Sequence, residues 1–123
     1  MPLDTLKWLD SLCPRLLELL QLRFQKEYLY NFDFASQATQ NSIKMWNKER
    51  TEHFEPLILP ATAEVIATVG VEKDDESTLV KLIDIWDRSE KHKKFLVENN
   101  SLGIGFAYDL IRNFLYATVR LGE

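Results

Sequence analysis

The stretch LGIGFAYDLIRNFLYATVRLG, residues Leu102–Gly122, decides how this chain is read. Its apolar residues Ile104, Tyr108, Ile111, Leu115 and Val119 recur three or four positions apart, the repeat of one helix face. The spacing predicts a last helix that starts near Leu102 and ends at Gly122. Upstream, apolar residues keep the same repeat nearly throughout, and no long stretch alternates with period two. Gly and Pro number only four each, which favours helix over a turn-rich β fold. The expected fold class is all-α: a four- to five-helix antiparallel bundle forming a single domain over residues 1–123.

The other helices follow from the same repeat. The first spans about Asp4 to Tyr30, with Asp4 as its cap. Pro14 interrupts it, and Ser11 caps the second piece. Residues Leu16 to Leu22 are apolar around most of the circumference, as in a central helix or one that meets a partner. Asn31 to Phe34 read as a linker. Ser36 caps a helix reaching Phe54, with Ile43, Trp46, Phe54 and Leu57 on its apolar face. Pro56 and Pro60 break the pattern, and Ala61 to Val69 is predicted as a short helix stopped by Gly70. An acidic loop, Val71 to Ser77, precedes a helix capped by Asp75 or Ser77. That helix carries Leu79, Leu82, Ile83 and Trp86 and continues through Phe95 to Val97. The aromatic residues, Trp8, Phe24, Trp86 and Phe106 among them, read as core.

One charge feature stands out. Arg88 to Lys94 reads RSEKHKK, four cations against one anion. It carries +3, which leaves −7 on the rest of a chain whose net charge is −4. On a helix, Arg88, Lys91 and His92 share a face, with Lys94 beside Lys91. Such a patch attracts a phosphate backbone without reading bases. It also has the composition of a solvated helix face paired with Asp84, Asp87 and Glu90. Lys44, Lys48 and Arg50 form a second cationic stripe. The expected nucleic-acid contacts are therefore Lys44, Lys48, Arg50, Arg88, Lys91, Lys93 and Lys94.

The chemistry-bearing residues are sparse. Cys13 is a single cysteine in a Leu-rich segment, so it reads as a core residue in a reducing compartment. His53 and His92 lie far apart in sequence, with no Cys or His at ligand spacing, and no metal or cofactor is expected. The glycines of Ser101-Leu102-Gly103-Ile104-Gly105 suit close packing or a tight turn better than a phosphate cradle. No apolar run reaches the length of a membrane span, and Asp4, Lys7 and Asp10 break up any signal peptide. A cytoplasmic protein with no membrane partner and no catalytic residues is expected.

Three resemblances bear on function. Glu49-x-x-Glu52 and Asp84-x-x-Asp87 resemble the paired carboxylates of all-α nucleoside-triphosphate pyrophosphatases, which implies Mg²⁺ chemistry. Asp84 stands where that family carries Glu. Leu82 to Ser89 looks like a helix of domains that bind the RNA polymerase II C-terminal tail, with Asn41-Ser42-Ile43 loosely similar to a second motif. That likeness implies a peptide-binding adaptor. In size and layout the whole chain resembles the small helical subunits of class 1 CRISPR surveillance complexes of the Cascade type. This last resemblance implies a non-catalytic subunit of a ribonucleoprotein assembly. Its partners would be other subunits, copies of itself, and the backbone of guide RNA or target DNA.

Overall fold

A computed structural model describes residues 1–53 and 61–123. The predicted helix end at Phe54, the apolar Leu57 and the breaks at Pro56 and Pro60 lie outside the described residues. Four helices and four strands are present among those described: α1 Leu3–Phe24, β1 Leu29–Tyr30, α2 Phe32–Lys48, β2 Ala61–Gly70, α3 Asp75–Arg88, α4 Glu90–Glu98, β3 Ser101–Asp109 and β4 Phe114–Gly122. The fold is α/β, not all-α.

The correction centres on the two stretches read as helices over Ala61–Val69 and Leu102–Gly122. Both belong to one sheet of order β1-β3-β4-β2. β3 and β4 form an antiparallel hairpin, β2 pairs antiparallel with β4, and β1 runs parallel to β3. The hairpin turns at Leu110–Asn113. Asp109 Oδ1 accepts from the N–H groups of Ile111 and Arg112, and Asn113 adopts φ 58°. Asp and Asn make such turns because their short side chains bond nearby backbone and tolerate positive φ. The helical repeat misled because helices cover both faces of the sheet. Strands buried on two faces carry nearly continuous apolar runs, in which three- and four-residue spacings arise without a helix.

The two faces differ. Ala63, Val65, Ala67 and Val69 of β2, with Leu102, Ile104, Phe106, Leu115, Ala117, Val119 and Leu121, join α1 and α3 in the main core. α1 supplies Leu9, Leu12, Leu16 and Leu20, and α3 supplies Leu79, Leu82, Ile83 and Trp86. α2 covers the opposite face, where Met45 packs with Ala107 and Tyr116. Gly103 and Gly105 let it come close: a Cβ on either would stand 2.1 Å from a backbone nitrogen of α2. These glycines do serve close packing, but from a strand.

Local chemistry explains the helix limits. Pro14 lies inside α1 without ending it. It sits on the exposed side, away from the buried leucines, so the missing N–H leaves no buried polar group. Asn31 caps α2 by accepting from the Phe34 N–H at 3.0 Å, so that helix starts before Ser36. Ser89 is extended, ends α3 and caps α4, accepting from the His92 N–H. The basic segment is therefore split between two helices. On the β2 edge, Trp86 Nε1 donates to the Ile66 carbonyl at 3.1 Å and Lys81 Nζ to that of Gly70 at 2.9 Å. These side chains occupy carbonyls that an unprotected edge would offer to another strand.

Asp74, not Asp75 or Ser77, caps α3. Its carboxylate accepts from the Ser77 N–H at 2.8 Å and the Ser77 hydroxyl at 2.9 Å. Those bonds, the backbone one first, hold its pKa below the ordinary 3.8. A depressed folded pKa means stability that is complete above the unfolded value and lost as pH falls through the folded one. Asp74→Asn keeps an acceptor without the titration. Its stability should fall less steeply with acid below about pH 4. Superimposable acid unfolding curves for the two proteins would remove the carboxylate from the cap.

Candidate functional site

A groove runs between α1 and α2 where β3 has lost its strand neighbour. β1 covers only the start of β3. Leu29 N–H donates to Asn100 O and Asn31 N–H to Leu102 O, both at 2.8 Å. The chain then turns into α2. Tyr30 takes over at the next edge position: its hydroxyl accepts from the Ile104 N–H at 3.2 Å and lies 3.3 Å from the Ile104 carbonyl. A side chain 74 residues away in sequence thus satisfies an edge that no strand among the described residues reaches.

Beside this edge lies a cavity of about 510 Å³. α1 lines it with Asp10, Cys13, Pro14 and Leu17, at the i, i+3, i+4, i+7 positions of one face. α2 lines it at the same spacing with Phe32, Ala35, Ser36 and Thr39. Tyr30 and Ile104 complete it. The Tyr30 and Phe32 rings meet edge to face, centroids 5.3 Å apart at 73°. Phe32 is 81% exposed, unusual for its type.

Cys13 faces this groove but is not poised for nucleophilic attack. Burial, and secondarily the Asp10 charge, push its pKa up to about 12. Its Sγ lies 3.6 Å from the Leu9 carbonyl, a helix-internal contact. A thiol this far from ionising behaves as a small core residue. Tyr30 is also raised, first by burial and then by Cys13 and, after it, the charge of Asp10.

A second polar feature occupies the α2 face of the sheet. Glu64 on β2 and Arg120 on β4 are register partners, and their side chains bond at 2.9 Å while both residues are buried. His53 Nδ1 lies 2.9 Å from the other Glu64 oxygen. Nearby, the Ser42 hydroxyl donates to Gly105 O and lies 2.9 Å from Thr118 Oγ1, and Asn41 Nδ2 donates to Thr118 Oγ1 and to Glu52 O. An imidazole oriented by a carboxylate has general-base geometry. Among the described residues, however, no Ser, Thr or Cys side chain hydrogen-bonds His53. His92 on α4 lies within electrostatic reach: burial first, then the charges of His53 and Lys91, lower its pKa.

The cations expected to contact nucleic acid divide between layers. Lys44, Lys48 and Arg50 belong to α2 and its end. Lys44 Nζ donates to the His53 carbonyl, and Lys48 and Arg50 pair with Glu52. Arg88 ends α3, while Lys91, Lys93 and Lys94 lie on α4, which packs through Phe95 and Leu96 into the main core. Lys93 lies 3.6 Å from Asp87. The paired carboxylates do not converge either. Glu49 bonds Arg112, while Asp84 and Asp87 bond Arg23. Among the described residues, no group of three or more His, Cys, Asp or Glu is placed to hold a metal ion.

Comparison with known proteins places the fold. No protein-family model and no curated protein sequence matches the chain. Solved structures do. An extracellular protein containing an SCP domain, from Bacillus anthracis, superposes over 100% of this chain with a TM-score of 0.68 and 17% identity. An outer surface protein from Borrelia burgdorferi matches 98% of the chain with a TM-score of 0.61 and 14% identity. A cysteine-rich secretory protein from Staphylococcus aureus matches 99% with a TM-score of 0.51 and 18% identity. The chain spans 44% and 40% of the Bacillus and Staphylococcus proteins, and 94% of the Borrelia one. The fold is therefore the α/β arrangement of SCP-domain proteins.

These likenesses overturn the functional expectations. The chain is not built like a Cascade small subunit, and the expected role in a CRISPR assembly, with guide RNA or target DNA as partner, falls with that resemblance. The tail-binding adaptor and the pyrophosphatase, both all-α, fall with the sheet. No helix among the described residues is long and apolar enough to cross a membrane.

Proposed function

We propose that this chain is a binding domain of SCP-type fold that captures a small, largely apolar molecule in the groove between α1 and α2 and works outside the cytoplasm. The observation that carries it is the groove itself: about 510 Å³, walled by Pro14, Leu17, Phe32 and Ile104, with hydroxyls at its margin. Ligand sites have this size and this mixture of apolar wall and few polar groups. Capture rather than catalysis is supported by the inert thiol, the one nucleophile type on the wall with intrinsic reactivity near neutral pH. The location outside the cytoplasm is supported by the descriptions of the Bacillus and Borrelia proteins.

Groove filling tests this reading. Thr39 lines the groove from the exposed side of α2. Thr39→Trp should leave the unfolding temperature within a few degrees of wild type and weaken binding of Nile red, a neutral apolar probe, about tenfold or more. Fluorescence titration reads both proteins. Equal affinities would place the probe elsewhere and remove the groove as the site.

A further inference from the structure

We propose that the groove selects an amphiphile bearing a single ammonium group, held between the Asp10 carboxylate and the Tyr30–Phe32 ring pair, with its hydrocarbon along Pro14, Leu17 and Ile104. This rests on the groove being the binding site and names the chemistry it would recognise.

Five observations converge. Among the described residues, Asp10 is the one charged residue in the lining. Among the described residues no cation pairs with it, although Arg15, Arg23 and Lys81 on the same side of the sheet all have carboxylate partners. Its charge reaches inward, since both Cys13 and Tyr30 respond to it. The two rings meet at 73°, and Phe32 is uncovered. Angled ring faces beside a carboxylate are how proteins hold alkylated ammonium ions, because the ring quadrupole and the anion both favour a bulky, weakly hydrated cation. Pro14 adds an acceptor, since it has no N–H to give the Asp10 carbonyl. An anionic amphiphile meets the opposite field. Among the described residues, no Lys or Arg lines the groove to neutralise a carboxylate or a phosphate. A zwitterionic lipid headgroup is therefore disfavoured along with a fatty acid, which leaves the free cationic amphiphile.

Calorimetric titration of the intact chain with four ten-carbon probes, each below its micelle concentration, tests this. The probes are decyltrimethylammonium, decanol, decanoate and decylphosphocholine. The ammonium probe should bind about tenfold or more tighter than decanoate and decylphosphocholine, with decanol between. Asp10→Asn should bring the ammonium probe to within about threefold of decanol and leave decanol unchanged. Phe32→Leu should weaken the ammonium probe selectively. Both positions are exposed, and an unchanged unfolding temperature shows the variants folded. If decanol binds but charge makes no difference, the ammonium inference is overturned and the groove reading stands. If decylphosphocholine matches the ammonium probe, the inference is overturned in favour of a lipid headgroup. If none of the four binds, the groove reading falls and takes the inference with it.

Discussion

Gly105→Ala should destabilise this protein by about 3–5 kcal/mol, against the usual expectation for a glycine in a strand. Adding a methyl to a strand glycine normally helps, by reducing the entropy of the unfolded chain by about 0.4–1 kcal/mol. Here the new Cβ would stand 2.1 Å from Thr39 N and 2.4 Å from Ala38 C and Thr39 Cα. All three are main-chain atoms of α2, so no side chain can swing aside. The helix has to lift. Lifting it stretches the bonds from Ser42 to Gly105 O, at 2.8 Å, and from Asn41 to Thr118 Oγ1, at 3.1 Å. Those groups are buried, so each lost bond leaves an unsatisfied partner at about 1–3 kcal/mol. Gly103→Ala meets Ala35 N at 2.1 Å and should behave alike. Gly70→Ala is the control, because its nearest neighbour would be the flexible Lys81 Nζ at 3.9 Å. Urea unfolding should show a much lower midpoint for Gly105→Ala and a change within about 1 kcal/mol for Gly70→Ala. Matching midpoints would mean that α2 does not sit as close as the glycines allow.

The same contact shows what the sequence could and could not tell. Helix spacing found α1 and α3, whose buried stripes are Leu9, Leu12, Leu16 and Leu20 in the first and Leu79, Leu82, Ile83 and Trp86 in the second, but it broke α1 at Pro14, carried it on to Tyr30 and ran α3 and α4 together. It failed for β2, β3 and β4 because helices cover both sides of the sheet. With most positions apolar or small, the period-two signal is weak and a helical period can be read in. The signals that remained were compositional. Val65, Ile66, Thr68 and Val69 are β-branched, and Asp109 and Asn113 bracket a turn. The groove was illegible for a different reason. Tyr30 closed the stretch read as the first helix, Phe32 fell in one read as a linker, and Asp10 counted only as an interruption of apolar sequence. Their meeting depends on β1 pairing with a strand more than seventy residues further along. No local pattern encodes that pairing. The cationic segment attracted notice for its charge alone, and Ser89, the residue that splits it between two helices, looked like one more polar position.

Breaking the Glu64–Arg120 pair should cost about 3–5 kcal/mol, while replacing both residues by apolar ones should cost far less than the two single changes together. Arg120 is fully buried and Glu64 nearly so, with the bond at 2.9 Å between β4 and β2. Removing two ions from water is expensive, and their attraction in the interior does little more than offset that. Arg120→Met therefore loses more than the pair contributes, because it deprives a buried carboxylate of its guanidinium. Glu64→Leu does the converse and also takes away the oxygen that faces His53 Nδ1. The double variant removes both desolvation costs at once, and the coupling between the two sites should be about 2–3 kcal/mol. Such a pair has a use beyond stability. β2 and β4 match Glu64 to Arg120 while Ala63 and Val65 face the main core. A one-residue slip would turn Glu64 into that apolar face and strand the arginine, so the pair specifies the register. The double variant should then keep much of its stability yet lose uniqueness. Its amide spectrum should show broadened or doubled resonances along β2, where wild type shows one set. A double variant with additive losses and a single sharp set would leave the ion pair neither coupled nor needed to hold the strands in place.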